Sequence, residues 1–327
     1  MTVTNNPIFN FKKAERVQCK ASIMLQGLSG TGKSGLALAL AEGLTKHDWD
    51  KVFVIDTENK SAPLFVGIPF TSGGTFGSFN VGELTADIGF KPSFYLAFRD
   101  HAVLAGAEVV IEDSISHAWQ YKGGVLDMVT AATNKSTNKA DKYASWRDPE
   151  VASEKQLLLD LIRDPRLHVI TTVRVKEKYE FEEDSAGKKK LVSMGEQQIM
   201  QDDLKYEPDL VLETIEPGHV YSKTKIQYPK ARCTKTRYAI FNRGETYEFT
   251  PELIEQLRQY LNEGADPEVL LEAQRQDYII GVTEYIDNKP NAKVIWSELK
   301  KQAGYGDTKL SEMPLDVIKE LFIKLTI

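Results

Sequence analysis

The run Gly27-Leu28-Ser29-Gly30-Thr31-Gly32-Lys33-Ser34 spells G-x-x-x-x-G-K-S, the spacing that cradles nucleotide phosphates. Glycines at these places let backbone N–H groups approach phosphate oxygens, and the N-terminus of a following helix favours an anion. On this reading Lys33 reaches the β- and γ-phosphates of ATP, and the Ser34 hydroxyl binds Mg2+. Asp113 closes an apolar run, where a second carboxylate holds the Mg2+ shell through water. An aspartate that merely caps a turn is the plain alternative. Glu58 stands just past another apolar run, placed to face the γ-phosphate and polarise the attacking water as general base. Its plain alternative is a solvated loop carboxylate. Glu112 points to the face of the strand opposite Asp113 and is not expected to act as the catalytic acid.

These residues need elements to hold them. Val17 to Gln26 reads as a buried strand leading into the glycine loop, and Lys33 to Leu44, rich in Ala and Leu at helical spacing, as the helix that leaves it. Lys51 to Asp56 is a second strand, ending in Asp56-Thr57-Glu58. Thr71 to Gly77, rich in Gly and Ser, is expected to form a surface loop. A helix from about Ser93 to Ala105 feeds a third strand, Glu108 to Ser114. Glu150 to Arg163 follows as a helix and His168 to Val173 as a buried strand. Lys178 to Val192 alternates and turns at Ser185-Ala186-Gly187, which suggests a protruding hairpin. Late strands are expected at Asp209 to Glu213 and from Val220 onward. The order of helices and strands implies an α/β fold with a mostly parallel sheet covered on both faces. Thr250-Pro251 then starts a helix to about Leu261.

The 327 residues allow one large α/β domain with a small appendage, and 42% hydrophobic with 27% charged residues is ordinary for a globular chain. The expected division is an N-terminal tail over 1–16, a core over 17–262 and a small C-terminal domain of short helices over 263–327, after a linker at Gly264 to Pro267. No run approaches the roughly 18 apolar residues that a membrane span needs. Met1 to Pro7 lacks a charged segment followed by an apolar one, so no secretory signal is expected. Two cysteines without metal-ligand spacing point to a reduced, cytoplasmic setting. The net charge is −6, yet Pro217 to Gly244 holds seven basic residues and no acid, a place where a polyanion could sit.

Val54-Ile55-Asp56-Thr57-Glu58 resembles the strand of RecA-type recombinases that ends in their catalytic glutamate, and Val110 to His117 resembles their Walker B strand. Asp113-Ser114-Ile115-Ser116-His117-Ala118-Trp119 is similar to phage-encoded RecA-like ATPases of the single-strand-annealing type. So are Tyr143 to Arg147, Val169 to Lys176 and Lys205 to Asp209, and the likeness covers about Ala21 to Leu261. It implies a RecA-like P-loop core, Glu58 as base and Asp113 as the Mg2+ residue. It also makes Lys235-Thr236-Arg237 similar to the Lys-x-Arg finger that such oligomers insert into a neighbour's ATP site. The alternative for Lys235 and Arg237 is a solvated or DNA-facing strand. Where RecA itself has a γ-phosphate-sensing glutamine this chain carries Thr172, which can still donate one hydrogen bond.

The same likeness places single-stranded DNA against two loops, roughly Ile115 to Trp146 and Arg174 to Tyr206. The residues marked as candidates are Trp119, Lys122, Arg174, Lys176, Lys188, Lys189 and Lys190, since aromatic faces with cations suit unspecific strand binding. Both loops are nearly charge-balanced, and any one aromatic is as readily core. The leading expectation is a phage or prophage ATPase acting on single-stranded DNA in recombination or replication, as a ring or filament in the host cytoplasm. An ATP-switched binding module with little turnover and a RecA-fold motor or helicase remain open. The tail from Glu268 is expected to modulate assembly or meet a partner such as a single-strand-binding protein; its residues do not decide which.

Overall fold

The computed structural model describes residues 13–69, 75–135, 143–183, 189–216 and 228–326. The turn expected at Ser185 to Gly187, Lys188, and residues 217–227 of the basic stretch lie outside these, as does most of the Gly/Ser-rich loop.

Nine strands form the sheet among the described residues. They are β1 (Ser22–Gly27), β2 (Val52–Asp56), β3 (Asn80–Glu83), β4 (Val109–Asp113), β5 (His168–Glu183), β6 (Lys189–Gln198), β7 (Leu210–Glu216), β8 (Lys230–Thr236) and β9 (Thr246–Glu248). Their order is β3-β2-β4-β5-β1-β7-β8-β9, with β6 pairing β5. The first six in that order are mutually parallel, and β8 and β9 close one side antiparallel. The fold is therefore the mixed α/β, mostly parallel arrangement of a P-loop NTPase core with a helical C-terminal region. β5 lies between the P-loop strand β1 and β4, so the two strands that carry Gly27 and Asp113 are not neighbours.

The strands alternate faces, as a sheet with both sides buried requires. Ile23 and Leu25 of β1 belong to the core beneath α1 (Lys33–Leu44) and α6 (Pro251–Leu261). Met24 belongs to the opposite core, with α2 (Pro92–Leu104), α3 (Ser116–Gln120), α4 (Val125–Lys135) and α5 (Pro149–Asp160). In α1, Leu36 and Leu40 are fully buried and so are the alanines between them, which makes it a central helix rather than an amphipathic one. Each buried leucine contributes about 1.5–3 kcal/mol, and Leu36→Ala would cost about 2–5 kcal/mol because the sheet cannot collapse into the gap. α5 starts where sequence chemistry says it should: Asp148 accepts from the backbone N–H of Glu150 at 3.0 Å and Val151 at 3.4 Å, with Pro149 in the first turn.

Several boundaries differ from the sequence expectation. β1 begins at Ser22 rather than Val17, which makes only an isolated bridge to Ala265. β3 is an extra edge strand, short and mostly exposed, so it carries no hydrophobic pattern to read. The segment after β4 is not an open loop but holds α3 and α4. β5 is one continuous strand. Its first part runs beside β1 up to Arg174, and from Val175 it pairs with β6 as a hairpin.

The chain divides into two units, Lys20–Leu261 and a second made of Asn262–Ile327 with the segment up to Cys19. Within the second unit, Gln18 N–H donates to Ala265 O at 3.0 Å and Ala265 N–H to Arg16 O at 2.9 Å. The segment before β1 thus groups with the C-terminal unit. That unit contains α7 (Pro267–Asn288), α8 (Ala292–Gln302) and α9 (Leu315–Thr326) around Tyr278, Val282, Trp296, Ile318 and Phe322. At 22 residues α7 is not short, and Asp266 and Pro267, expected to be linker, are its N-cap and first residue. Among the described residues no helix is long and apolar enough to cross a membrane.

Candidate active site

The P-loop leaves β1 at Gly27, where a Cβ would stand 2.4 Å from Thr214 Oγ1 and 2.6 Å from Thr31 Oγ1. Only glycine passes between β7 and the loop. The two threonine hydroxyls meet at 2.6 Å, and Thr31 also donates to Leu28 O at 2.8 Å, which folds the loop on itself. Gly30 and Gly32 take φ of 83° and 90°, left-handed values that L side chains avoid. Ser29 lies within this turn. Gly32 caps α1 without a side-chain hydrogen bond, so the first-turn N–H groups face the loop, as a phosphate site requires. Lys33 Nζ donates to Gly27 O at 2.9 Å and Leu28 O at 2.8 Å, which holds the ammonium at the loop's mouth.

Ser34 Oγ donates to Asp113 Oδ2 at 2.5 Å, although β1 and β4 are separated by β5. Thr172 of that intervening strand donates to Asp113 Oδ1, also at 2.5 Å. Burial holds the Asp113 carboxyl above the usual carboxylate range, and the hydrogen bonds from Ser34 and Thr172 offset only part of that rise. A serine hydroxyl and a carboxylate oxygen converging after a glycine loop are hard ligands of the kind Mg2+ takes, so the residues present fit that ion and the phosphates that accompany it. Thr172 is fully buried and spends its hydroxyl on Asp113.

Glu58 is held by the turn after β2. Asp56 accepts from Glu58 N–H at 2.7 Å and Ala62 N–H at 2.9 Å, the local side-chain bonding that fixes such turns. Thr57 sews this turn to β4. Its N–H donates to Asp113 O at 2.8 Å, its hydroxyl accepts from Ser114 N–H at 2.8 Å, and the same oxygen lies 2.5 Å from His117 Nδ1. The peptide between Asp113 and Ser114 is cis. Burial lowers His117 to about 4, so its imidazole is neutral near pH 7; it stacks on Phe90 and meets Tyr121 edge-on. Glu112 turns to the far side of the sheet and pairs with Arg99 at 2.5 Å, away from the P-loop.

Arg174 was expected in a DNA-binding loop. It sits instead opposite Gly27 in the β5–β1 register, with a guanidinium that grips Glu58 by two nitrogens and donates to Tyr121 Oη at 2.8 Å. The other strand-binding candidates are dispersed. Trp119 is half-buried against Trp146 with ring centres 6.2 Å apart, while Lys122 and Lys176 are exposed. Lys189 and Lys190 lie on β6 opposite Glu183 and Glu182, and Lys188 is outside the described residues.

Lys235 and Arg237 lie at the opposite end of the sheet from the P-loop. β8 runs antiparallel to β7, with Thr236 opposite Leu210, which in turn pairs with Ile23 at the start of β1. The separation from Gly27 along β1 is about 13 Å at the usual strand rise. Lys235 Nζ donates to the carbonyls of Tyr206 and Pro208, and Arg237 pairs with Asp209 at 2.8 Å. They do not join the P-loop of their own chain.

Sequence reasoning gave Thr57 and His117 no role, because a hydroxyl and a ring gain roles only from what they face. Among curated proteins no relative matches the chain. The glycine loop, Lys33, Ser34 and Asp113 fall within residues 19–248, which match the AAA domain over more than two thirds of the sequence. The chain belongs to the AAA domain family of P-loop NTPases.

Proposed function

We propose that this chain is a Mg2+-dependent ATPase that acts on single-stranded DNA in phage or prophage recombination or replication, in a reducing cytoplasm. The observation that carries the catalytic part is the convergence of Lys33, Ser34, Asp113 and Thr172, with Glu58 beside them on the Arg174 fork. When bound, Mg2+ neutralises charge building on the phosphates. The P-loop N–H groups and Lys33 bind the triphosphate, Ser34 and Asp113 hold the ion, and Thr172 keeps Asp113 oriented. Glu58 accepts a proton from the attacking water, a contribution on the order of 10²–10⁴-fold.

Support for DNA comes from the resemblance of the segments after β4 and β5, and from the β5–β6 hairpin that begins beside Arg174. Lys235 and Arg237, at the far end of the sheet, are read as groups offered to a neighbouring subunit of a ring or filament. The C-terminal helical unit is read as a module for assembly or for a partner such as a single-strand-binding protein.

ATP turnover with and without an oligo-dT strand, in wild type and Glu58→Gln, tests this reading. Turnover that rises with DNA and disappears in Glu58→Gln is expected. A rate indifferent to DNA removes the DNA role. An ATP-switched module with little turnover is the second reading, favoured by the engagement of Glu58 with Arg174, and binding without any hydrolysis would establish it.

A further inference from the structure

The β5 strand changes partner at one residue. Arg174 is its last residue in register with β1, and Val175 is its first in register with β6. Arg174 is fixed from three directions, two through its side chain and one through its backbone. Its Nε donates to Glu58 Oε1 at 2.8 Å and a terminal nitrogen to Glu58 Oε2. The other terminal nitrogen donates to Tyr121 Oη at 2.8 Å, with the guanidinium 5.7 Å from the Tyr121 ring centre. The Arg174 backbone N–H donates to Ser116 Oγ at 2.9 Å. Three elements therefore meet on this arginine: the turn after β2, the segment after β4, and β5 itself.

A carboxylate acts as general base through an oxygen lone pair that a water can reach. In Glu58 both oxygens accept from a guanidinium fork, the strongest bidentate partner a carboxylate finds in a protein. The pair is half-buried, with Arg174 34% and Glu58 20% exposed, so solvent weakens it without dissolving it. Each oxygen keeps a second lone pair, but the fork fixes the direction in which the carboxylate faces, and releasing one of these bonds lets an oxygen turn to the water.

We propose that Arg174 is a positioning residue that latches Glu58 in a resting pose, and that Tyr121 sets the strength of the latch by holding the guanidinium from the other side. The idea rests on the ATPase reading, in which Glu58 is the base. Ser116 and Tyr121 both follow β4, so a displacement of that segment loosens the arginine and frees the carboxylate. The base is present but restrained, and its resting rate depends on an ion pair that lies outside the P-loop motif.

Arg174→Met keeps the stem and removes the fork. It is expected to raise partner-free ATP turnover by about threefold to tenfold. Affinity for methylanthraniloyl-ATP should stay within about twofold, since the latch grips Glu58 and not the nucleotide. Arg174→Lys restores a point charge without the fork and should fall between the two. Tyr121→Phe keeps the ring, loses the hydroxyl and should raise turnover by about twofold.

A folded Arg174→Met whose turnover equals or falls below wild type overturns the latch. So does a large loss of nucleotide affinity, which would make Arg174 a phosphate ligand instead. Should Arg174→Met fail to fold, an unchanged rate in Tyr121→Phe is decisive against the proposal. Nucleotide binding without turnover in wild type and every variant would defeat the ATPase reading and the latch together. A wild type that hydrolyses beside an unresponsive Arg174→Met defeats the latch alone.

Discussion

Thr172 donates its hydroxyl to Asp113 Oδ1 at 2.5 Å, from the one strand that separates Asp113 from the P-loop strand. The position that the family resemblance gives to a γ-phosphate sensor is thus occupied by a group committed to the Asp113 carboxylate. Ser34 takes the other oxygen, so both Asp113 oxygens are bound by hydroxyls from two different elements.

Thr172→Val preserves the shape and removes that donor. A buried carboxylate oxygen left unpaired costs about 1–3 kcal/mol. Urea unfolding should show the midpoint lowered accordingly, and a Mg2+ titration of ATP binding should show a weaker Mg2+ requirement site. Unchanged Mg2+ dependence would show that Ser34 alone orients Asp113.

Lys33→Met should weaken ATP binding by about 10- to 100-fold, the value of a charge-assisted hydrogen bond to phosphate. Stability should barely move, because the hydrogen bonds from Lys33 to the carbonyls of Gly27 and Leu28 lie within the loop itself. Calorimetric titration together with a melting curve separates the two effects. A large drop in melting temperature would mean that the lysine chiefly holds the loop closed.

Arg237 pairs with Asp209 on a half-exposed surface, an interaction worth about 0–1 kcal/mol. Arg237→Ala should therefore fold normally. Titrated into Lys33→Ala subunits, it should change ATP turnover in a composition-dependent manner if Arg237 serves a neighbour's site. Strict additivity of the two preparations would return Arg237 to a structural role.

Acid should destabilise the core before the carboxylates titrate. Burial lowers His117 to about 4 and His168 to about 3, against 6.5 when unfolded. His168 accepts the Ala21 N–H at 2.9 Å through Nδ1, which needs the neutral ring. Both folded values are depressed, so below pH 6.5 the unfolded chain binds protons that the folded chain refuses. Stability is then fully present above about pH 6.5 and falls as pH drops toward about 3, by at most roughly 3 kcal/mol for His117 and roughly 5 kcal/mol for His168. Urea midpoints measured from pH 7.5 to 4.5 check the slope, and a flat profile would mean that neither ring is held neutral.

The β1–loop–α1 unit was legible in advance because all of its chemistry is contiguous. Glycine spacing, the lysine, the serine and the Ala/Leu helix follow one another within Gly27 to Leu44, and local sterics and dipoles act at that range. The positions of Glu58 and Asp113 were also legible, since Asp113 ends one apolar strand and Glu58 stands two residues past another. β3 and α3 were not, because a short exposed strand and a single helical turn of mixed residues lack a period to detect. The basic stretch shows where reading charge along the chain stops. Counted along the chain, Lys230, Arg232 and Arg237 form an acid-free cationic run. Folded, they face Glu248, Glu213 and Asp209 from neighbouring elements. Strand pairing joins residues far apart in sequence, and linear charge says nothing of it.

From the order of residues alone, then, this chain is a nucleotide-binding α/β protein with a P-loop, an aspartate that ends an apolar strand and a glutamate just past another. Tertiary structure decided which groups those carboxylates meet. Asp113 meets Ser34 and Thr172 because β5 lies between β1 and β4, and Glu58 meets Arg174 because β5 reaches Gly27 at that residue. Contacts of this kind depend on strand order and register. Those are set by burial of the whole sheet and not by any local motif.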